Sequence, residues 1–109
     1  MKNTIETTLD FDDWLKALRD LAARARIAKR IVRAGNGNFG DSKLLSGTGG
    51  VHEMRIDYGP GYRVYYGQVG QTVYLLFLGG DKTTQDADIA KATAIWARIK
   101  EKRHADGEN

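Results

Sequence analysis

The segment around Gly59-Pro60-Gly61 constrains this chain more than any other feature. Residues 51–57 and 62–67 each read as a strand, and the Gly-Pro-Gly between them reads as a tight turn, so the two runs form a hairpin. A turn centred on Gly59 and Pro60 pairs Ile56 with Tyr62 and Met54 with Val64, which makes one apolar face. The opposite face then sets Arg55 across from Arg63 and Glu53 across from Tyr65. Like charges directly opposite on a sheet destabilise it. Either an anion sits between the two arginines, or both are solvated and partly relieved by Glu53 or Asp57. A slip of one residue would exchange the faces.

A third strand is expected over residues 72–78, reached through Val69-Gly70-Gln71. Val73, Leu75 and Phe77 alternate with Tyr74, Leu76 and Leu78, so both faces are apolar, as in a central strand. Gly79-Gly80 is read as its end. Residues 2–8 alternate and form a short first strand. Asp10 is the expected cap of the helix that follows, with Asp13 in its first turn. Phe11, Trp14, Leu15, Leu18, Leu21 and Ala22 form one helical stripe. A second helical pattern over 23–34 turns Ile27 and Ile31 inward and its arginines outward. No Gly or Pro separates the two, which leaves one bent helix or a helical hairpin with a tight corner. Gly35-Asn36-Gly37-Asn38 stops the pattern, and the stretch to Gly50 reads as loop.

Thr83 or Thr84, with Asp86 forming a capping box, is expected to open a last helix whose stripe is Ile89, Ala92, Trp96 and Ile99. Lys100, Lys102, Arg103 and His104 sit at its end, where positive charge is favoured. Residues 105–109 read as a disordered tail. With no internal repeat and no linker, residues 1–104 are expected to form one α+β domain, its helices packed on an antiparallel sheet.

The chain has no cysteine, which excludes disulfide scaffolds, thiol catalysis and Cys-ligated zinc. His52 and His104 are the only imidazoles, so no His-rich metal site is expected. No apolar run approaches the ~20 residues of a membrane span and no signal peptide opens the chain, so a cytoplasmic protein is expected. Lys and Arg total 17 against 14 Asp and Glu, a net charge of +3. Seven of those cations fall between Lys16 and Arg33, against the single acid Asp20. This run is either a solvated helix face or a surface for nucleic acid or an acidic partner protein.

Lys82 lies in Gly79-Gly80-Asp81-Lys82-Thr83-Thr84-Gln85, just before a helix N-terminus that attracts anions. The glycine spacing is not that of a nucleotide-binding P-loop. His52 and Glu53 are the nearest candidates for proton transfer. Alternation sends them to opposite faces, so only Glu53 shares a face with the arginines, and it can equally serve as their ion-pair partner. Asp41 and Lys43 lie in the loop before the hairpin.

The chain resembles the RelE/ParE superfamily of toxins from bacterial type II toxin–antitoxin modules, and within it the HigB-like, phage-derived addiction module killer branch. The resemblance covers residues 1–100. It is carried by Phe11-x-x-Trp14-Leu15-x-x-Leu18, Arg26-Ile27-x-x-Arg30-Ile31, Gly40-Asp41-x-Lys43 and Val51-His52-Glu53-Met54-Arg55-Ile56. It continues through Gly59-Pro60-Gly61-Tyr62-Arg63-Val64-Tyr65-Tyr66 and Leu78-Gly79-Gly80-Asp81-Lys82-x-x-Gln85-x-x-Asp88-Ile89-x-x-Ala92. It implies a RelE-like fold: a small antiparallel sheet with an N-terminal helical hairpin and a C-terminal helix.

The resemblance implies a ribosome-dependent mRNA endoribonuclease that needs no metal or other cofactor and inhibits translation. Arg63, Arg55, Lys82 and Glu53 are then the catalytic set, with Arg55, Arg63, Lys82, Lys43 and Tyr65 binding RNA or phosphate. Glu53 is assigned as base and Lys82 as acid or phosphate clamp. Two positions depart from the family pattern: Glu53 stands where some members carry lysine, and Asp88 stands near where several carry an aromatic or histidine residue. The implied partners are a helix-turn-helix antitoxin, mRNA on the ribosome, and promoter DNA reached only through the antitoxin complex. The superfamily also implies two alternatives, a ParE-like gyrase inhibitor and an inactive homologue.

Overall fold

In a computed structural model describing residues 2–105, the hairpin forms in the register that its turn dictates. Ile56 pairs with Tyr62, Arg55 with Arg63, Met54 with Val64 and Glu53 with Tyr65. Gly59 and Gly61 adopt φ of 58° and 82°, which glycine enters without steric cost. The chain runs β1 (Thr4–Thr7), α1 (Leu9–Ala17), α2 (Leu21–Gly35), β2 (Ser42–Leu44), β3 (His52–Ile56), β4 (Tyr62–Gly70) and β5 (Val73–Asp81). A 3₁₀ turn (Lys82–Thr84) and α3 (Gln85–Ala105) complete it. The five strands make one sheet in the order β1-β5-β4-β3-β2. Strands β2 to β5 are antiparallel neighbours, and β1 joins β5 in parallel. This is a mixed α+β fold, with the expected C-terminal helix in place.

Helices cover both faces of the sheet. On one side α1 and α2 bury Phe11, Ala23 and Ile27 against Met54, Val64, Tyr66 and Leu76. On the other, α3 buries Ala92 and Trp96 against Val51, Tyr65 and Phe77. Leu76 and Phe77 thus enter different cores, which explains why β5 is apolar on both faces. Trp96 stacks on Phe77 with ring centroids 5.7 Å apart, and its Nε1 donates to the Gly49 carbonyl at 3.0 Å. The indole lies directly over Gly67, where a Cβ would come within 2.4–2.6 Å of the ring.

Several local expectations are corrected. Thr8, not Asp10, caps α1: its hydroxyl accepts from the Phe11 N–H, and Asp10 falls inside the first turn. The stripe does not run on through Leu21 and Ala22, because α1 ends at Ala17 and Asp20 caps a separate helix. The Asp20 carboxylate accepts from the N–H groups of Ala22 and Ala23 at 3.0 and 3.1 Å. The two helical patterns therefore form a hairpin with a tight corner. Part of the presumed loop before Gly50 is strand β2, held to β3. Gly79 and Gly80 do not end β5, which continues to Asp81. They lie in the strand because a Cβ there would strike Trp14 and Asp88 respectively. Asp81, rather than either threonine, caps the turn that leads into α3.

Helix α3 extends through Ala105, the first residue of the expected tail; residues 106–109 lie outside the described residues. Among the described residues, no helix is long and apolar enough to cross a membrane.

Candidate anion-binding site

Cross-strand pairing carries the hairpin face outward in both directions. Lys43 pairs with Glu53, Glu53 with Tyr65 and Tyr65 with Leu78. One step along, Arg55 pairs with Arg63 and Arg63 with Gly80. Lys43, Glu53, Tyr65, Arg55 and Arg63 therefore share the face that α3 covers. Lys82 follows β5 and its N–H donates to the Gly61 carbonyl at 2.8 Å. A Cβ on Gly61 would lie 3.4 Å from both Arg63 Nη1 and Lys82 Cβ, so these two cations flank the turn glycine. Arg55, Arg63 and Lys82 thus gather at one end of the hairpin.

Each arginine is fixed differently. Arg63 Nη1 donates to the Tyr62 carbonyl at 3.1 Å. Arg55 Nη2 meets Asp41 Oδ1 at 3.1 Å, with the two side chains 37% and 59% exposed. A carboxylate thus already sits beside one of the paired arginines. Asp41 is placed by Arg30, which leaves the outward face expected for the α2 arginines. Its guanidinium donates to the carbonyls of Arg55, Phe39 and Asp41 at 2.6, 2.9 and 3.3 Å. Burial first, then the charge of Arg33, lowers the Arg30 pKa. Arg30→Lys removes the planar fork and leaves at least two of these carbonyls without that donor. It is expected to destabilise the protein by about 1–3 kcal/mol, as thermal melting would show, and to loosen the Asp41–Arg55 pair.

Two of the expected site residues lie beneath the surface. Glu53 is fully buried, and it takes a hydrogen bond from Gln85 Nε2 at 2.7 Å rather than forming an ion pair with an arginine. Tyr65 is also fully buried, so its ring packs in the α3 core and presents no stacking surface to a base. Burial above all, then the nearby charges of Glu53 and Asp88, raises the Tyr65 pKa, so the phenol stays protonated. The Nε atoms of Arg55 and Arg63 are buried without a hydrogen-bond partner. The Tyr65 phenol faces the Glu53 carboxylate across the strand pair, which helps it keep its proton. Unsatisfied buried polar atoms are costly and rare in folded proteins, and the two arginine nitrogens share one face. Lys43 and Lys82 are exposed.

The helix end beyond Lys82 already has its own anions. Asp81 accepts from the N–H and hydroxyl of Thr83. Asp86 and Asp88 occupy the first turn of α3, and Thr84 donates to Asp88 at 2.6 Å. Anion attraction at this end therefore rests on the Lys82 side chain. Gln85, which the sequence marks only as part of the motif after Lys82 and to which it gives no role, is the residue that donates to the buried Glu53 carboxylate.

His52 lies on the other face and takes no part in this cluster. It stacks on Tyr66 at 5.0 Å, which stacks in turn on Phe39 at 4.7 Å. Burial lowers the His52 pKa below its ordinary 6.5. The unfolded chain therefore binds this proton more readily than the folded one. The stability from neutral His52 is complete above pH 6.5 and is lost as pH falls through that value toward the folded pKa. His52→Phe is expected to flatten the acid side of the stability profile, which urea titrations at stepped pH would reveal.

The fold and this face define a small RelE-like α+β domain with a cationic hairpin end. The E. coli toxin RelE, solved in its free state as a double arginine-to-alanine mutant, is similar in structure. The TM-score is 0.62 at 16% identity, covering 86% of this chain and 96% of that one. At the level of sequence, the chain is 51% identical over 91 residues to an uncharacterized protein of Haemophilus influenzae, spanning 84% of this chain and 90% of that protein. The chain belongs to the same family as that H. influenzae protein. No family model matches the chain.

Proposed function

We propose that the chain is the toxin of a type II toxin–antitoxin pair, of the HigB-like branch, and that it cleaves mRNA on the ribosome. The observation that carries this reading is the in-register Arg55–Arg63 pair, with Lys82 beside it across Gly61. A pair that weakens its own sheet is accounted for by an anion held between the strands. In this reading the anion is the scissile phosphate. Arg55 and Arg63 bind its non-bridging oxygens, displacing Asp41, while Lys82 and Lys43 hold the neighbouring backbone.

The ribose 2′-oxygen attacks phosphorus as the bond to the 5′-oxygen breaks, giving a 2′,3′-cyclic phosphate and a 5′-hydroxyl. The two arginines stabilise the charge that grows on the phosphorane oxygens. Glu53 takes the 2′-hydroxyl proton and Lys82 supplies the leaving oxygen with one. Because Gln85 covers Glu53, RNA has to displace that side chain first. The partner of the toxin in this reading is a helix-turn-helix antitoxin, and the complex reaches promoter DNA through the antitoxin. The site of action is the cytoplasm.

The burial of Glu53 and Tyr65 favours one second reading, a binding toxin without RNA chemistry that acts on DNA gyrase. Pulse labelling after induction without antitoxin separates the two. An early fall in amino-acid incorporation, absent for Arg63→Ala, supports cleavage of mRNA. An early fall in thymidine incorporation with translation intact supports the gyrase reading, and harmless accumulation of folded protein would refute both.

A further inference from the structure

The two arginines of the hairpin are unequally engaged. Asp41 holds Arg55 twice: the Arg55 backbone N–H donates to the Asp41 carbonyl at 2.8 Å, and Arg55 Nη2 donates to Asp41 Oδ1 at 3.1 Å. Arg63, directly opposite, turns its Nη1 to the Tyr62 carbonyl. The Nε atoms of both stay buried without a partner. The Asp41 carboxylate therefore rests on one guanidinium of a site built from two, and leaves donors of both unspent.

The loop that carries this carboxylate is pinned by other groups. Arg30 donates to the Phe39 and Asp41 carbonyls at 2.9 and 3.3 Å. Gly40 lies so close to the Arg30 guanidinium that a Cβ there would come within 2.9 Å of Nη2, and its N–H donates to Asn38 Oδ1 at 2.9 Å. The backbone is thus fixed without the Asp41 carboxylate, which is itself exposed. An exposed ion pair adds little to stability. What the carboxylate changes is the state of the arginines. Because it is tethered, it meets Arg55 without the association entropy that a free anion has to overcome.

We propose that Asp41 is an internal competitor for the Arg55–Arg63 site: it occupies Arg55 in the resting chain and holds down the affinity for backbone phosphate. The inference rests on the reading of this face as a phosphate site, and it adds to that reading how the site is restrained. A carboxylate presents both oxygens in one plane and matches a single guanidinium fork. The non-bridging oxygens of a phosphodiester diverge from a tetrahedral phosphorus, so one can meet each of two facing arginines. The phosphodiester therefore gains Arg63 in the exchange that costs it the displacement of Asp41. The opposite role, in which Asp41 orients Arg55 for the phosphate, differs in sign: its removal would weaken binding.

The test is fluorescence anisotropy on the full chain, at one fixed salt concentration because phosphate contacts are salt-dependent. The probe is a labelled single-stranded oligodeoxynucleotide, which carries the phosphates but no 2′-hydroxyl and so is bound without being cut. Asp41→Asn keeps the shape of the side chain and the backbone contacts, and should bind the probe about two- to fivefold more tightly than the wild-type chain, the worth of one exposed ion pair. Asp41→Ala should match it, with the circular dichroism of both variants unchanged. In an Arg55→Ala background the same change should have no effect, because the competitor acts through Arg55. Unchanged or weaker binding by Asp41→Asn would overturn the proposal. So would a gain that persists in the Arg55→Ala background, which marks a general loss of negative charge. Wild-type binding indifferent to both Arg55→Ala and Arg63→Ala would remove the phosphate site itself, and the inference with it.

Discussion

Replacing Arg63 with alanine is expected to abolish toxicity while leaving the fold intact or slightly steadier. In the proposed site the Arg63 guanidinium faces the phosphate directly. Removing one such charge-stabilising donor typically costs a factor of about 10²–10³ in rate, or roughly 3–4 kcal/mol of barrier. The stability effect runs the other way. Arg63 lies opposite Arg55 in the β3–β4 register, and removing one of two like charges relieves a repulsion of a few tenths of a kcal/mol, on the order of cross-strand pair energies. Arg63→Lys keeps the charge but not the fork, and should retain partial activity. Growth arrest after induction, measured beside the thermal melting temperature, reads both effects. A loss of toxicity accompanied by a large fall in melting temperature would mean that Arg63 is structural.

Trp96→Ala is expected to be among the most destabilising single changes in the chain. The indole is 4% exposed, stacks on Phe77, fills the space above Gly67 and ties α3 to the Gly49 carbonyl. Truncating a buried tryptophan costs about 3–5 kcal/mol. For a domain of this size that corresponds to roughly 15–25 °C in melting temperature. Gly67 cannot close the gap, because the strand beneath has no side chain there to swing into it. Trp96→Phe keeps a ring over Gly67 and loses the hydrogen bond, so it should cost about 1–2 kcal/mol. Because α3 also covers Glu53 and Tyr65, loosening it exposes the buried carboxylate. Differential scanning calorimetry of the two variants checks the ordering.

The hairpin was legible from sequence because its information is local. Gly59-Pro60-Gly61 fixes the turn, alternation fixes the faces, and together they place Arg55 opposite Arg63. The exposed cation Lys82 could also be located, since it follows the last strand directly. The pieces that escaped depend on what comes to lie on top of them. Glu53 looks like a surface acid until Gln85 and α3 close over it. Tyr65 looks like an exposed strand tyrosine until Trp96 and Phe77 form a core around it. Gly79 and Gly80 read as a strand end, yet they accommodate Trp14 and Asp88. Three-residue β2 carries too short a pattern to distinguish from loop, and the inward turn of Arg30 depends on carbonyls 9 to 25 residues away. The cap at Thr8 beside Asp10 shows how two good capping residues compete where backbone geometry decides.

The most direct measurement is cleavage of a defined mRNA on programmed ribosomes by the purified chain, with the end groups of the products identified. The account predicts cuts in translated mRNA that leave a 2′,3′-cyclic phosphate and a 5′-hydroxyl, and their loss with Arg63→Ala. Intact mRNA in an assay where the same preparation still arrests growth would contradict it. The Arg55–Arg63 face would then be a binding surface rather than a catalytic one.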